Sequence, residues 1–534
     1  MSIHRAPGRL GRGSWIPYSD NPVAFAAALV ALAAIGIYVR TLMPSTGFWD
    51  TGEAQTVPAT LSIFHPTGFP TYTLVGWLWS QLPVGEVAWR MNLLSAVCMA
   101  LASGVVVLIA GHLIAERHRL LRATAAGTAG GVFAFAAEPW ENATRADVHA
   151  LGVLFVAIVL WLCLVWGAAE RSGGPHAGRW LVGAAFAFGL GIGAHPLVGL
   201  LAVAIGPWLF VVDRAFWRRY RLIGACAVVL LLGVAIYAYI PLRALADPEP
   251  PLFYARPDTW ERLRYLVFAE QFRGLFDDFG TPLANLDRKW AEAERVLSAQ
   301  FVLPAWLLAA VGAAVIASRR IGLFVVLALV VGVDVFYAMH FDDGDIDRYY
   351  MPSLVVVAPL VGVALAMLAT ASARAVAEVG RRVAIGRARS NLASSAAVLV
   401  LGLGALLPAA SLVTGYTSHD QSQNREADLW VASVHEVLPP NAVVISWWSY
   451  STPLWYHRWI ESERPDVTII DERNILDDGY RTMGAAIRSH LGRRPVYVVP
   501  PDWDYEEITE RWETRTVRTY PGYTDLLRIE APRR

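Results

Sequence analysis

The sequence has little charge, almost no lysine and few cysteines. Only 17% of its 534 residues are charged, whereas ordinary soluble domains carry about 25%. Lysine and arginine together number 45, acidic residues also number 45, and Lys289 is the only lysine. A zero net charge without a basic tract gives no support to nucleic-acid binding.

The three cysteines all fall inside apolar runs: Cys98, Cys163 and Cys226. Their positions show neither a disulfide framework nor a Cys/His spacing typical of a metal site, so we interpret them as small buried hydrophobes. No glycine-rich phosphate loop follows any predicted strand, and nucleotide binding therefore receives no support.

Long apolar runs dominate the chain up to residue 411, and 55% of all residues are hydrophobic. They predict an α-helical polytopic membrane protein with about eleven transmembrane helices, some shorter than the roughly 20 residues that a bilayer demands. The predicted segments are 22–42, 91–115, 122–138, 147–168, 180–194, 197–212, 222–240, 301–318, 321–339, 352–371 and 392–411. The segments 180–194 and 197–212 are short enough to form a shallow hairpin instead, which would leave the orientation unchanged.

From residue 412 the composition becomes that of a soluble domain, so we predict a transmembrane domain over 1–411 and a C-terminal α/β domain over 412–534. Short apolar strands at 443–445, 467–470 and 496–499 alternate with helix signals at 421–437, 452–463 and 475–491. This alternation favours a mainly parallel sheet.

Arginine is distributed unevenly between alternate loops. Segments on the side of Arg5, Arg9 and Arg12 are rich in arginine, whereas the short loops on the other side hold few. By the positive-inside rule, the N-terminus is cytoplasmic and the C-terminal domain extracytoplasmic. The expected location is the cell (inner) membrane, with the first apolar run as an uncleaved signal anchor.

The loop after the first apolar run carries Phe48-Trp49-Asp50-Thr51-Gly52-Glu53 and His65-Pro66-Thr67-Gly68-Phe69-Pro70. If this loop is helical around Asp50, the carboxylates of Asp50 and Glu53 share one face. A carboxylate suits the base that glycosyl transfer to a hydroxyl requires, although acids that cap a helix or face water are the alternative. His65 sits in a rigid turn, where it would bind phosphate, orient a substrate or merely break a helix.

Further polar residues lie at the ends of apolar segments on the same side of the membrane as the first loop. Asp147 and His149 begin the fourth span, with paired interface residues as the alternative. His195 and Arg243 end apolar runs where a cation would meet a lipid-linked phosphate. A helix-ending His-Pro and an arginine that reaches lipid head groups are the respective alternatives.

The segment 337–350 holds four acids together with His340 and Arg348. Its Asp-x-Asp spacing suggests a divalent cation such as calcium, but the complete calcium-loop pattern is absent. An internally paired, solvated loop is the alternative. We assign no metal ligand and no cofactor, and keep a divalent metal as the alternative.

Taken together, these motifs resemble the transmembrane protein O-mannosyltransferase family of the GT-C glycosyltransferase superfamily. The resemblance spans nearly the whole chain, through residues 48–53, 65–70, 140–150, 189–196, 239–244, 337–353, 453–456 and 464–467, and more loosely through 446–450. The sequence departs from the family pattern at Ala146-Asp147-Val148-His149, at Ala194 and at His340.

The resemblance implies a GT-C-like fold and a transferase that moves a mannose-like monosaccharide from a polyprenyl-phosphate carrier, with inversion. The acceptor hydroxyl stays open between a protein serine or threonine, a glycolipid and a polysaccharide. Asp50 is then the base, and Glu53 its partner or a group that orients the acceptor. His65 matches the family's His-Pro turn, and the cations Arg243, His195 and Arg348 would offset the charge of the leaving phosphate.

Two other function classes compete with this interpretation. A lipid or solute transporter or flippase would explain the charges near the membrane, but they gather at one face and no internal repeat is visible. A membrane-anchored binding module would explain the C-terminal domain but not the acidic first loop.

Overall fold

A computed structural model of the chain describes residues 21–275, 285–342, 344–383, 388–501 and 504–533. The arginines Arg5, Arg9 and Arg12 that support the predicted orientation lie outside the described residues. Within the described ranges the chain forms a helical domain followed by a small α/β domain, so the predicted fold class is confirmed.

The helical part contains seventeen α-helices among the described residues. They are α1 Asn21–Arg40, α2 Trp49–Thr60, α3 Pro70–Ser80, α4 Val87–Leu113, α5 Arg119–Ala134, α6 Ala137–Thr144, α7 Val148–Arg171, α8 Gly178–Ala194, α9 Ala202–Val212, α10 Tyr220–Val234, α11 Tyr239–Ala244, α12 Trp260–Val267, α13 Leu286–Gln300, α14 Leu303–Arg319, α15 Ile321–Met339, α16 Met351–Arg382 and α17 Ala388–His419. Short 3-10 turns at Pro196–Leu201, Phe216–Arg218, Ala235–Ala238, Glu270–Leu275 and Ile346–Tyr350 connect some of them.

Seven of the described helices are long and apolar enough to cross a membrane, or up to nine if each of two bent pairs counts as one span. The pairs are α5 with α6, bent by 63°, and α13 with α14, bent by 102°. Two shorter apolar helices, Gly178–Ala194 and Pro196–Val212, lie where the sequence left open a shallow hairpin. Each of the eleven predicted segments therefore coincides with a helix, and the chain is a multi-pass membrane protein.

Close helix packing depends on small residues. A Cβ on Gly312 in α14 would lie 2.0 Å from the carbonyl oxygen of Leu360 in α16, and one on Gly189 in α8 would lie 2.5 Å from that of Leu230 in α10. Because lipid tails are as apolar as leucine, such backbone approaches supply the van der Waals contact that holds membrane helices together.

The C-terminal domain is a five-stranded sheet with helices. Its elements are α18 Glu426–Val437, β1 Val443–Ser446, α19 Trp448–Trp459, β2 Thr468–Asp471, α20 Met483–His490, β3 Val496–Val499, α21 Tyr505–Arg511, β4 Trp512–Val517 and β5 Leu526–Pro532. The strand order is β2-β1-β3-β5-β4. The three predicted strands pair in parallel, whereas β5 and β4 extend the sheet in antiparallel fashion and were not predicted.

The burial patterns of the strands explain why some of them were predicted from the sequence and others were not. Strands β1 and β3 are buried along their whole length, as strands in the middle of a covered parallel sheet are, and read as apolar runs. Strand β4 has one buried residue, Trp512, and is otherwise partly or fully exposed, so it carries few apolar residues. The division of the chain at 411/412 stays a prediction; α17 continues to His419.

The C-terminal domain sits on the loop that follows α1. Helix α19 packs on α2. The ring of Phe48, just before α2, lies 5.9, 5.4 and 5.0 Å from the rings of Trp430, Tyr450 and Tyr523. This aromatic contact places the carboxyl end of β1, and with it Trp447 and Trp448, over the start of α2.

Candidate active site

The first loop is helical where the sequence placed its two acids. Asp50 lies in the first turn of α2, where the helix dipole favours a negative charge, and Glu53 follows one turn later. The Asp50 side chain is 30% exposed, whereas that of Glu53 is only 2% exposed. The two carboxylates therefore have different environments although they share a helix.

The two carboxylate oxygens of Asp50 each accept a hydrogen bond from a different side chain. Its Oδ2 accepts a hydrogen bond from Arg348 Nη2 at 3.0 Å, and its Oδ1 accepts one from Trp448 Nε1 at 3.1 Å. Burial alone would raise the pKa of Asp50, but the charges of His65, Arg348 and Arg473 and the Trp448 hydrogen bond outweigh it and lower that pKa. Asp50 is thus a carboxylate at neutral pH.

Arg348 links Asp50 to a second acid. Its Nη1 donates to Asp147 Oδ2 at 3.3 Å, so one guanidinium bridges the loop before α7 and the start of α2. Its Nε is buried and has no hydrogen-bond partner among the described residues. Buried polar groups are nearly always paired, which makes this nitrogen a candidate donor to a ligand.

Asp147 also orders a pair of histidines. Its Oδ1 accepts from the backbone nitrogen of His149 at 2.7 Å and lies 2.8 Å from His149 Nδ1. The charges of His149 and Arg348 lower the pKa of Asp147 although burial opposes this. With its Nδ1 on an acid, His149 leaves Nε2 buried and without a partner within the described chain.

His195 stacks beside this pair, with its ring 4.0 Å from that of His149 and 5.6 Å from that of Phe69. Its Nδ1 accepts from the backbone nitrogen of Leu197 at 3.3 Å. Burial, followed by the neighbouring His149, holds the pKa of His195 well below its usual range. This direction favours the neutral imidazole in the absence of a ligand, and the expected role of His195 beside a lipid-linked phosphate stays a prediction.

Glu53 and His65 form a second buried pair. Glu53 Oε1 accepts from the backbone nitrogen of His65 at 2.9 Å, and the other carboxylate oxygen contacts His65 Nδ1. Burial raises the pKa of Glu53, while the charge and hydrogen bond of Glu53 raise the pKa of His65 against its burial. The pair fixes the His-Pro turn against α2.

Two residues of the C-terminal domain complete the cluster, and sequence reasoning missed both. Trp448 donates to Asp50, and its ring lies 5.5 Å from that of His65. The Arg473 guanidinium lies 4.8 Å from the centre of the Trp448 ring and lowers the pKa of Asp50. Arg473 also lines a cavity of about 480 Å³ beside strand β2.

Arg243 is the candidate that the structure leaves apart. Its Nε donates to the carbonyl of Leu61 at 2.8 Å and its Nη1 to that of Pro248 at 3.1 Å. These contacts lie at the far end of α2 from Asp50. Its guanidinium therefore binds backbone carbonyl groups of the loops, and no described contact joins it to Asp50 or Glu53.

The site also offers donors for a metal ion. One ligand atom from each of Asp50, Glu53 and His65 lies within 4.8 Å of the others. Those atoms already bind Arg348, Trp448 and each other, so a cation would have to displace these partners.

The segment 337–350 was the other candidate for a divalent cation. Its Asp347 forms an ion pair with Arg295 at 2.8 Å, and Asp343 lies outside the described residues. The expectation of no metal stays a prediction.

Comparison with known proteins gives the context of this cluster. Residues 50–218 match the family described as the Protein O-mannosyl-transferase TMEM260 N-terminal domain. The chain is 25% identical over 507 residues to Protein O-mannosyl-transferase TMEM260 of Mus musculus, a match that covers 90% of this chain and 67% of that protein. It is 26% identical over 148 residues to the Dictyostelium discoideum protein of the same name, covering 27% of this chain and 17% of that protein.

Solved structures show the same fold. ArnT from Cupriavidus metallidurans bound to undecaprenyl phosphate superposes with a TM-score of 0.55 at 15% identity, covering 95% of this chain and 97% of that one. The apo oligosaccharyltransferase of Archaeoglobus fulgidus gives a TM-score of 0.54 at 14% identity, covering 90% and 69%. At such identities the likeness concerns the fold, and that fold is the one that the sequence motifs predicted.

Proposed function

We propose that this chain, a multi-pass membrane protein with the GT-C fold that resembles the TMEM260 protein O-mannosyltransferases, transfers a monosaccharide from a polyprenyl-phosphate carrier to an acceptor hydroxyl. The glycosyltransferase class is supported by the names of the relatives and by the matched family. One observation carries the residue assignment: Asp50 is a carboxylate held between Arg348 and Trp448, where the two domains meet.

Asp50 acts as the general base in a single displacement. The acceptor oxygen attacks the anomeric carbon as its proton passes to the Asp50 carboxylate. The bond between the anomeric carbon and the phosphate oxygen breaks, and polyprenyl phosphate leaves as an anion. Attack from the opposite side inverts the anomeric centre.

The contact with Arg348 sets the strength of this base. While Arg348 binds Asp50, the low pKa keeps the carboxylate ionised but makes it a weak proton acceptor. A donor phosphate near Arg348 would compete for the same guanidinium, which Asp147 keeps in place from its other side. As the phosphate takes over this contact, the pKa of Asp50 rises and the base becomes stronger when the donor is bound.

Other groups around the phosphate would share its charge. Arg348 Nε and His149 Nε2 are two of the buried atoms that lack hydrogen-bond partners within the described ranges, and both can donate to the phosphate. Arg473 brings a second cation from the C-terminal domain, close enough to act on Asp50. Fixed donors and cations at a leaving phosphate lower the barrier by offsetting the charge that develops there.

The choice of donor and acceptor follows the named relatives. The ArnT structure holds undecaprenyl phosphate, which supports a polyprenyl-phosphate carrier here. The name O-mannosyl-transferase supports a mannose-like sugar and a protein serine or threonine acceptor, with a glycolipid acceptor as the variant. The arginine distribution supports a site on the extracytoplasmic side of the cell membrane and a cytoplasmic N-terminus.

The test is transfer by the purified full chain of the Asp50→Asn variant, with a polyprenyl-phosphate mannose donor and a serine-containing peptide. Transfer is expected to fall by about 10²–10⁴-fold, the usual contribution of a general base. Asp347→Asn is the matched control, since Asp347 forms an exposed ion pair with Arg295. Full transfer by Asp50→Asn at a native unfolding temperature would remove Asp50 from the mechanism. Flipping of a labelled lipid in proteoliposomes without a covalent product would favour a transporter instead.

A further inference from the structure

A cavity of about 250 Å³ lies at the end of the helical domain opposite the candidate active site. It opens between α4, α14 and α16, at the end of α4 that is distant from the first loop. The volume corresponds to the space of roughly eight water molecules. It therefore has room for a small polar group and is far from Asp50.

Three arginines and one acid give the cavity an excess of positive charge. Arg319, Arg320 and Arg374 line it, and Glu116 is the one acid among its lining residues. Glu116 is already engaged, because one oxygen accepts from Thr370 Oγ1 at 2.8 Å and the other accepts two backbone N–H groups at 2.7 and 3.0 Å. Among the lining residues, three arginines therefore stand beside one carboxylate.

The arginines also lie close to each other. Arg320 sits at the break between α14 and α15 and is half-buried, with Arg171 and Arg319 near enough for their charges to act on it. Arg319 and Arg374 are exposed. Like charges this close repel, and an anion between them relieves that repulsion. Guanidinium forks match phosphate oxygens in pairs, so phosphate is the anion that fits best.

The rest of the lining indicates where that phosphate comes from. The remaining lining residues include apolar side chains at the ends of membrane helices: Leu113, Ile114, Val315, Ile316, Val363 and Met367. A phospholipid brings a phosphodiester and an apolar stem together, whereas a soluble anion would gain nothing from this wall. Basic pockets between helices on the arginine-rich side of a membrane protein are suited to anionic head groups.

We propose that the cavity between α4, α14 and α16 binds the head group of one anionic phospholipid, with its phosphodiester among Arg319, Arg320 and Arg374. The lipid fills the gap between the three helices on the side away from the sugar transfer. This site is independent of the proposed reaction.

The experiment measures lipid retention by native mass spectrometry on the full chain purified in a neutral detergent. Phosphatidylglycerol, phosphatidylcholine and inorganic phosphate are the three probes. We expect one phosphatidylglycerol per chain, little phosphatidylcholine and no displacement by millimolar phosphate. The double variant Arg320→Gln/Arg374→Gln is expected to weaken phosphatidylglycerol retention by about 30-fold, from the usual contribution of two arginines beside an anionic lipid.

Arg214→Gln/Arg218→Gln is the matched control. Both side chains are exposed and lie in the loop after α9, and the two substitutions remove the same charge as the cavity variant. Met367→Trp fills the cavity without changing its charge and should also reduce phosphatidylglycerol retention. It provides the test if the arginine variant does not fold. Equal retention of phosphatidylcholine, displacement by inorganic phosphate, or equal losses in the cavity and control variants would each overturn the proposal.

Discussion

Replacing Arg348 by glutamine should move the acid limb of the pH profile of kcat/KM to higher pH. The reason is the contact between Arg348 Nη2 and Asp50 Oδ2, 3.0 Å long, which helps to lower the pKa of Asp50. A base must be deprotonated, so transfer falls as the pH drops through that pKa. In the native chain this limb should lie below about pH 4, the ordinary value of an aspartate.

The size of the shift follows from the charge that is removed. Two unit charges about 4 Å apart attract by about 4 kcal/mol at an effective dielectric constant of about 20. That energy corresponds to about 3 pKa units. It is an upper bound because Arg473, His65 and the Trp448 hydrogen bond stay in place. A shift of about 1–3 units is therefore expected, in line with the usual effect of an arginine on a neighbouring carboxylate.

The assay is the initial rate of sugar transfer between pH 3.5 and 8 at low donor concentration, since kcat/KM reports the free enzyme. Arg348→Lys keeps the charge and should leave the limb within about one unit of the native position. Arg295→Gln, which removes an exposed arginine paired with Asp347, is the control. If Arg348→Gln loses activity by one factor at every pH, Arg348 only binds the donor and the coupling to Asp50 is wrong.

Two further predictions concern the contact between the domains and the helix packing. Trp448→Phe keeps an aromatic ring but removes the indole Nε1–H donor, and should lower kcat/KM by about tenfold. Trp459→Phe, at a side chain that is 40% exposed, should leave kcat/KM unchanged, and equal losses in the two variants would show that the hydrogen bond to Asp50 is not the cause. Gly312→Ala places a methyl group 2.0 Å from the Leu360 carbonyl oxygen and should destabilise the chain by about 1–3 kcal/mol, measured by thermal unfolding in detergent. Gly332→Ala, with open space around its Cβ position, is the control, and an unchanged unfolding temperature for Gly312→Ala would contradict the packing of α14 on α16.

The sequence predicted the helices well because membrane spans need long apolar runs, whatever they pack against. The helix α2 that carries Asp50 and Glu53 entered the sequence argument only as a condition; once it forms, their shared face follows from the spacing of three residues. The strands of the parallel sheet were visible as short apolar runs. Strand β4 was not, because its exposed face is polar and only its pairing with β5 makes it a strand.

The partners of the acids were harder to predict. Arg348 was named as a cation for phosphate, but its bridge between Asp50 and Asp147 joins positions 298 and 201 residues apart. Trp448 is 398 residues from Asp50, and no local pattern encodes such a contact. The available signal was weak: a Trp-Trp pair directly after a buried strand, and Arg473 two residues after the end of the neighbouring strand.

The hydrogen bond from Trp448 to Asp50 also has a consequence for the order in which the protein is made. A ribosome synthesises the whole helical domain before it reaches residue 448, so the newly inserted spans carry the acid without its indole partner. The finished geometry around that acid arises only after the C-terminal domain has been made and its helix α19 has packed on α2. A chain that stopped before residue 448 would hold Asp50 without this hydrogen bond.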